Sequence, residues 1–204
     1  MTLEYSAQAL VARLGETDQQ FLSDPTPQLA IERAEIRMAL AHYSHRQGEQ
    51  LHFLNEAAVI LELAAVEVED RPTHLALSIQ LSLVYLQHFE VTQELRYLIV
   101  TGQILRTQTS LMHPMVFLGL ARADAGQQKL ALTRHWLEQW QKSLGDAVRS
   151  QVLSYEQLQQ QIAGLPRYAE FSLVLHEAWF QDIVTAAGLT LAECLPTPAS
   201  PVHS

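Results

Sequence analysis

Residues 26–70 read TPQLAIERAEIRMALAHYSHRQGEQLHFLNEAAVILELAAVEVED, and this stretch decides the fold class. Thr26 supplies a side-chain acceptor for the free N–H groups of a helix start, and Pro27 fits the first turn, where its missing N–H is no loss. Ile31, Ala34, Met38 and Ala41 then recur every three or four residues, so one face is apolar. Gly48 reads as the end of that helix. Leu54, Ala58, Leu61 and Ala65 give 51–68 the same period, and Asp70-Arg71-Pro72-Thr73 breaks it. Two helices joined by so few residues must run antiparallel, because the connection cannot carry the chain to the far end of a helix.

The same signals extend outward in both directions. Leu3, Ala7, Leu10 and Leu14 predict a short first helix closed by Gly15, with a polar linker over 16–26. A helix over 73–88 carries Leu77, Leu81, Val84 and Tyr85, and Thr92 is placed to cap a fourth with Leu95, Leu98, Ile99 and Leu105. The segment 106–113 is polar and turn-prone. Pro114 opens a helix through Phe117, Leu118 and Ala121 that Gly126 closes, and 130–140 is its partner. Further helices are expected over 146–188, the last built on Phe171, Val174, Trp179 and Ile183, and 196–204 is expected to be a disordered tail. No segment alternates as a strand would. The expectation is one all-α domain over 1–195, made of antiparallel helical hairpins.

Composition narrows the functional classes. The chain has 204 residues and a net charge of −9, the wrong sign for replacing counterions along nucleic acid. Cys194 is the single cysteine, so an intramolecular disulfide and a multi-thiolate metal site are both excluded. No run approaches the ~18 apolar residues of a membrane span. The first fifteen residues lack a basic segment leading into an apolar run, so cytoplasmic is the expected location.

Three hairpins, 27–68, 73–106 and 112–141, share a pattern. A large residue and a small one, Leu40-Ala41, Leu81-Ser82 and Leu118-Gly119, are each followed seven positions after the small one by an expected turn, at Gly48, Phe89 and Gly126. A small residue lets two helices approach closely, and glycine tolerates positive φ at a turn. The third hairpin resembles a tetratricopeptide repeat: Leu118-Gly119, Gly126 and Ala131 match that family's leucine-glycine, turn and alanine positions. Arg122 departs from it, standing where tyrosine is usual. In the middle hairpin Leu81, Ser82 and Tyr85 fit but Glu94 replaces the small alanine, and in the first Phe53 does. The matching leucines are 41 and 37 residues apart, against about 34 in the family. The resemblance implies a short stacked array with C-terminal capping helices, and a concave surface that binds a peptide or helix of another protein. A generic multi-helix bundle is the alternative fold.

Candidate partner-binding residues on the first helices of the hairpins are Arg37, His45, Gln80, Gln87 and Arg122, read as exposed. A second candidate is the acidic run Glu62, Glu67, Glu69 and Asp70 at a helix end, where negative charge opposes the helix dipole and suits a basic segment. Chemistry is sparsely signalled. His42 and His45 lie three apart, with Glu35 seven before His42, so a helical-bundle enzyme or metal protein using these three is the alternative function. One Glu-x-x-His pair, Glu49 and His52, has no second copy, and His176-Glu177 lacks partner groups. There is no glycine-rich phosphate loop and no nucleophile elbow. Trp136, Trp140, Phe171, Trp179 and Phe180 fit a helix-packing stripe. A homodimer through the Trp179 helix is a further reading. The function expected from the sequence is therefore a non-catalytic scaffold, chaperone or assembly factor without a cofactor.

Overall fold

A computed structural model describes residues 7–148 together with 181, 182, 184, 185, 187 and 188. It is all-helical, with no strand among the described residues. The helices are α1 (Ala7–Ser23), α2 (Pro27–Tyr43), α3 (Gln47–Glu67), α4 (Arg71–Thr92), α5 (Leu95–Arg106), α6 (Pro114–Gly126) and α7 (Leu130–Val148), with a 3-10 turn at Thr109–Leu111. The chain divides into two compact units, Met1–Gln108 and Thr109–Ser204. Of the helices expected over 146–188, residues 149–180 lie outside the described residues, Trp179 among them, while 181, 182, 184 and 185 are helical; Cys194 and the 196–204 tail also lie outside.

Three helix starts, those of α2, α4 and α6, follow one recipe, whereas α3 and α5 begin without a side-chain cap. Thr26 accepts a hydrogen bond from the Leu29 amide at 3.3 Å, Asp70 from the Thr73 amide at 2.9 Å, and the His113 ring nitrogen from the Met115 amide at 3.3 Å. Each is followed by a proline in the first turn, Pro27, Pro72 or Pro114, so donors left without an intrahelical partner are either capped or absent. Asp70 therefore belongs to the start of α4, where its charge favours the dipole, and not to the end of the preceding helix. The capping hydrogen bonds to Thr73 hold its carboxyl below the ordinary range.

The helices α3, α5 and α6 end at Glu67, Arg106 and Gly126, within a residue of the sequence reading, but other ends depart from it. Gly15 lies inside α1, which continues to Ser23 through most of the expected linker. Gly48 lies in the first turn of α3, Gly126 is the last residue of α6, and α7 runs past Gly145. The hairpin turns fall at 44–46, 93–94 and 127–129. They begin three, eleven and eight residues after Ala41, Ser82 and Gly119, so the constant offset of seven is not kept. Gln93 and Gln128, both at φ 59°, take left-handed positions in the second and third turns, which were expected at Phe89 and Gly126.

In the first unit neighbouring helices pack in sequence as a stacked array, and α2 also packs on α4. Ile31, Ala34 and Ala41 of α2, Leu54, Ala57 and Leu61 of α3, and Leu77, Leu81 and Val84 of α4 form one core. Leu10 of α1 joins Ile36 and Leu40 in a smaller cluster. The alanines let α2 and α3 approach closely. In the second unit α6 and α7 form a hairpin in which the Trp136 indole N–H donates to the fully buried Asp124 carboxylate at 2.9 Å. Trp136 stacks on Phe117, and Trp140 is fully buried.

Candidate functional site

A cleft of about 570 Å³ opens in the first unit where the turn between α2 and α3 meets the last turns of α4. Its wall includes His42 and His45 on one side, Gln47 and Gln50 from the start of α3, and Gln87 and Glu90 from α4. Two of its amides brace the frame. Gln47 donates to the Val91 carbonyl at 3.1 Å, and Gln50 to the Ser44 carbonyl at 2.9 Å. These bonds satisfy carbonyls at a helix end and in a turn, where the helical ladder leaves acceptors free. The Gln87 side-chain oxygen is buried and accepts no hydrogen bond, an unmet acceptor that a donor reaches only if the amide turns toward the cleft.

Of the residues expected to meet a partner, His45 and Gln87 come together here. His45 lies in the turn after α2 and not on a helix, and it is exposed, as is His42 at the end of α2. Gln80 lies elsewhere, donating to the Glu35 carboxylate at 2.9 Å and so tying α4 to α2. Arg122 is half-buried in the second unit. Glu67 and Glu69 are exposed at the end of α3 and beyond it.

Arg37 is a correction. Only 6% of it is exposed, and its guanidinium joins three helices. It donates to Glu56 of α3 at 3.0 Å, to Asp18 of α1 at 3.1 Å and to the Arg33 carbonyl at 3.2 Å. Arg33 donates to the same Asp18 at 2.5 Å and lies over the Phe21 ring. Burial would raise the Asp18 pKa, but the hydrogen bonds and charges of Arg33 and Arg37 outweigh it and hold the carboxyl below the ordinary value. This is a structural clamp.

The metal alternative is not assembled either. Glu35 is engaged by Gln80 and lies seven residues before His42, roughly 10 Å along a helix, whereas ligand bonds to zinc are about 2 Å. No group of three or more His, Cys, Asp or Glu side chains fit to hold a metal occurs among the described residues.

A second polar cluster lies between α3, α4 and α5. His88 is 1% exposed and stacks on Tyr97 at 4.6 Å between ring centroids; its ring donates to the Leu54 carbonyl and leaves Nδ1 without a partner. Burial pushes its pKa down. The Tyr85 hydroxyl donates to Glu62, and burial together with that carboxylate raises the tyrosine pKa. Arg96 lies over the far aromatic, Tyr97, at 4.8 Å.

Sequence reasoning missed Gln47, Gln50 and Glu90 as cleft residues. The available signal was placement: with hairpins of nearly equal length, the start of α3 and the end of α4 reach the same end of the unit. No protein-family model, curated protein or solved structure matches this chain. No helix among the described residues is long and apolar enough to cross a membrane.

Proposed function

We propose that the chain is a non-catalytic binding module, a short helical-repeat array of the tetratricopeptide kind that takes a peptide or helix of another protein in the cleft beside His45 and Gln87. The observation that carries this reading is the unsatisfied Gln87 oxygen in a cleft already rimmed by amides and histidines. Amide and imidazole groups suit peptide backbone, which presents an N–H and a C=O at nearly every residue. Arrays of stacked hairpins leave such openings between successive units without any need for catalytic geometry.

The test is site-specific photo-crosslinking in cells of the source organism, with a photo-reactive residue at position 45 or 87 and a control at Val11 on α1. The expected result is one predominant polypeptide captured from both cleft positions and absent from the control. Absence of such capture at both positions overturns the reading. Stoichiometric metal in untagged protein, lost in His42→Ala and His45→Ala, would replace it with the metal alternative.

A further inference from the structure

The outer face of α3 carries three exposed large apolar side chains, more than any other helix among the described residues. Val59 is 52% exposed, Leu63 65% and Val66 85%. Their spacing of four and three residues puts them on one stripe, opposite the buried Leu54, Ala57 and Leu61. The packing against α2 and α4 thus accounts for one face of the helix and leaves the other bare. At roughly 100° per residue Glu62 lies on one side of the stripe and Glu67 on the other.

The formal charge carried by α3 and the turn after it has one sign. From Gln47 to Asp70 the sequence contains six carboxylates and no lysine or arginine. Glu49 is paired with Arg46 and Glu56 with Arg37, but Glu62, Glu67 and Glu69 have no cationic partner among the described residues. Beside the start of the stripe lies a shallow hollow of about 350 Å³ lined by Val59, Ile60, His52, Asn55 and Glu56 with Arg33 and Arg37, both arginines already paired with the Asp18 and Glu56 carboxylates. An apolar seam with acidic flanks selects against acidic or neutral occupants. It matches a helix whose apolar stripe is bordered by lysine or arginine, because long cationic side chains cover apolar surface with their stems while their heads reach the flanking carboxylates.

We infer that the outer face of α3 docks a basic amphipathic helix of another protein, its apolar stripe seated on Val59, Leu63 and Val66 and its cations on Glu62 and Glu67. One large side chain of that helix enters the hollow beside Val59. The inference rests on the binding-module reading but uses a different surface from the cleft. The chain's own segment 167–182 is an unsuitable occupant by charge, since Glu170, Glu177 and Asp182 outnumber Arg167.

The test uses the full chain and a synthetic 21-residue helix of leucine and lysine in heptad pattern, with a scrambled peptide of the same composition as control. Binding is followed by fluorescence anisotropy. Leu63→Asp is expected to weaken binding about tenfold or more, the scale of losing one buried leucine contact and desolvating a carboxylate in the middle of an apolar seam. Glu62→Gln combined with Glu67→Gln is expected to weaken it several-fold and to flatten its salt dependence. Both sites are exposed, so circular dichroism of the variants should match the parent. Equal binding of the scrambled peptide, unchanged affinity in Leu63→Asp, or no binding at all overturns the inference. So does a photo-crosslink from position 63 to another copy of this chain or to its own residues. Capture at positions 45 and 87 is independent of Leu63→Asp, so failure of the cleft and failure of the α3 face are read separately.

Discussion

Two polar clusters each tie three helices of the first unit together, and they do so by opposite means. The Asp18–Arg33–Arg37–Glu56 clamp joins α1, α2 and α3 with full charges, each hydrogen-bonded to an opposite charge. The His88–Tyr97–Tyr85–Glu62 cluster joins α3, α4 and α5 through ring stacking and a neutral, nearly inaccessible imidazole. A buried charge is tolerable when its partners surround it, and a buried titratable group is tolerable when it stays neutral. The first arrangement is therefore sensitive to losing a partner, and the second to gaining a proton.

The largest expected effect is on the clamp. Arg37→Ala leaves Glu56 and part of Asp18 without a counter-charge and empties a buried position, at a cost of about 2–3 kcal/mol; the loss is below that of a fully buried pair because both carboxylates are partly solvated. Arg37→Met, which keeps most of the volume, should cost about 1 kcal/mol. Urea denaturation midpoints distinguish the two, and equal losses would mean that the pairing is irrelevant.

Next comes pH. His88 has a lowered pKa in the folded state, so between that value and the unfolded value near 6.5 the unfolded chain binds the extra proton. Its contribution is fully present above about 6.5 and declines as pH falls, by up to about 1.4 kcal/mol per pH unit until the folded-state pKa is reached. His88→Phe should be less stable near neutrality, because the Leu54 carbonyl loses its donor, yet should lack this slope. An identical slope in the variant would assign the acid sensitivity elsewhere. Asp18 acts in the same sense at lower pH: its lowered pKa supplies stability above about 3.9 that is lost as pH falls through the folded value.

The smallest effect is expected at the edge of the second cluster. Tyr85→Phe removes a hydrogen bond to an exposed carboxylate and keeps the ring stack, so thermal unfolding should shift by the equivalent of about 0.5–1 kcal/mol. A loss matching Arg37→Ala would mean that the stack depends on that hydroxyl.

The all-helical class and the hairpin pairing were legible because apolar spacing and proline-marked starts act locally. Thr26-Pro27 and Pro114 open helices where the sequence places them. Helix ends were legible only in part: Gly126 does end α6, but Gly15 and Gly48, also read as punctuation, are helical, and two glutamines take left-handed turn positions. That error propagated to Arg37. The inward face of α1 continues beyond Gly15 through the buried Thr17 and the half-buried Asp18, which carry no apolar signal, so Asp18 fell in an expected linker and its partner Arg37 looked free. Of the site, His45 and Gln87 were legible as polar residues near hairpin ends. The amides facing them were not, since only the packing of α3 against α4 sets which side chains share a cleft.

The two- and three-residue connections between α1 and α5 have a kinetic consequence. Almost every packing partner lies one helix away along the chain, so little loop entropy must be lost before native contacts form. Such a topology belongs with the fast-folding helical proteins, and each hairpin can close soon after its second helix leaves the ribosome, long before residues 109–204 are synthesised.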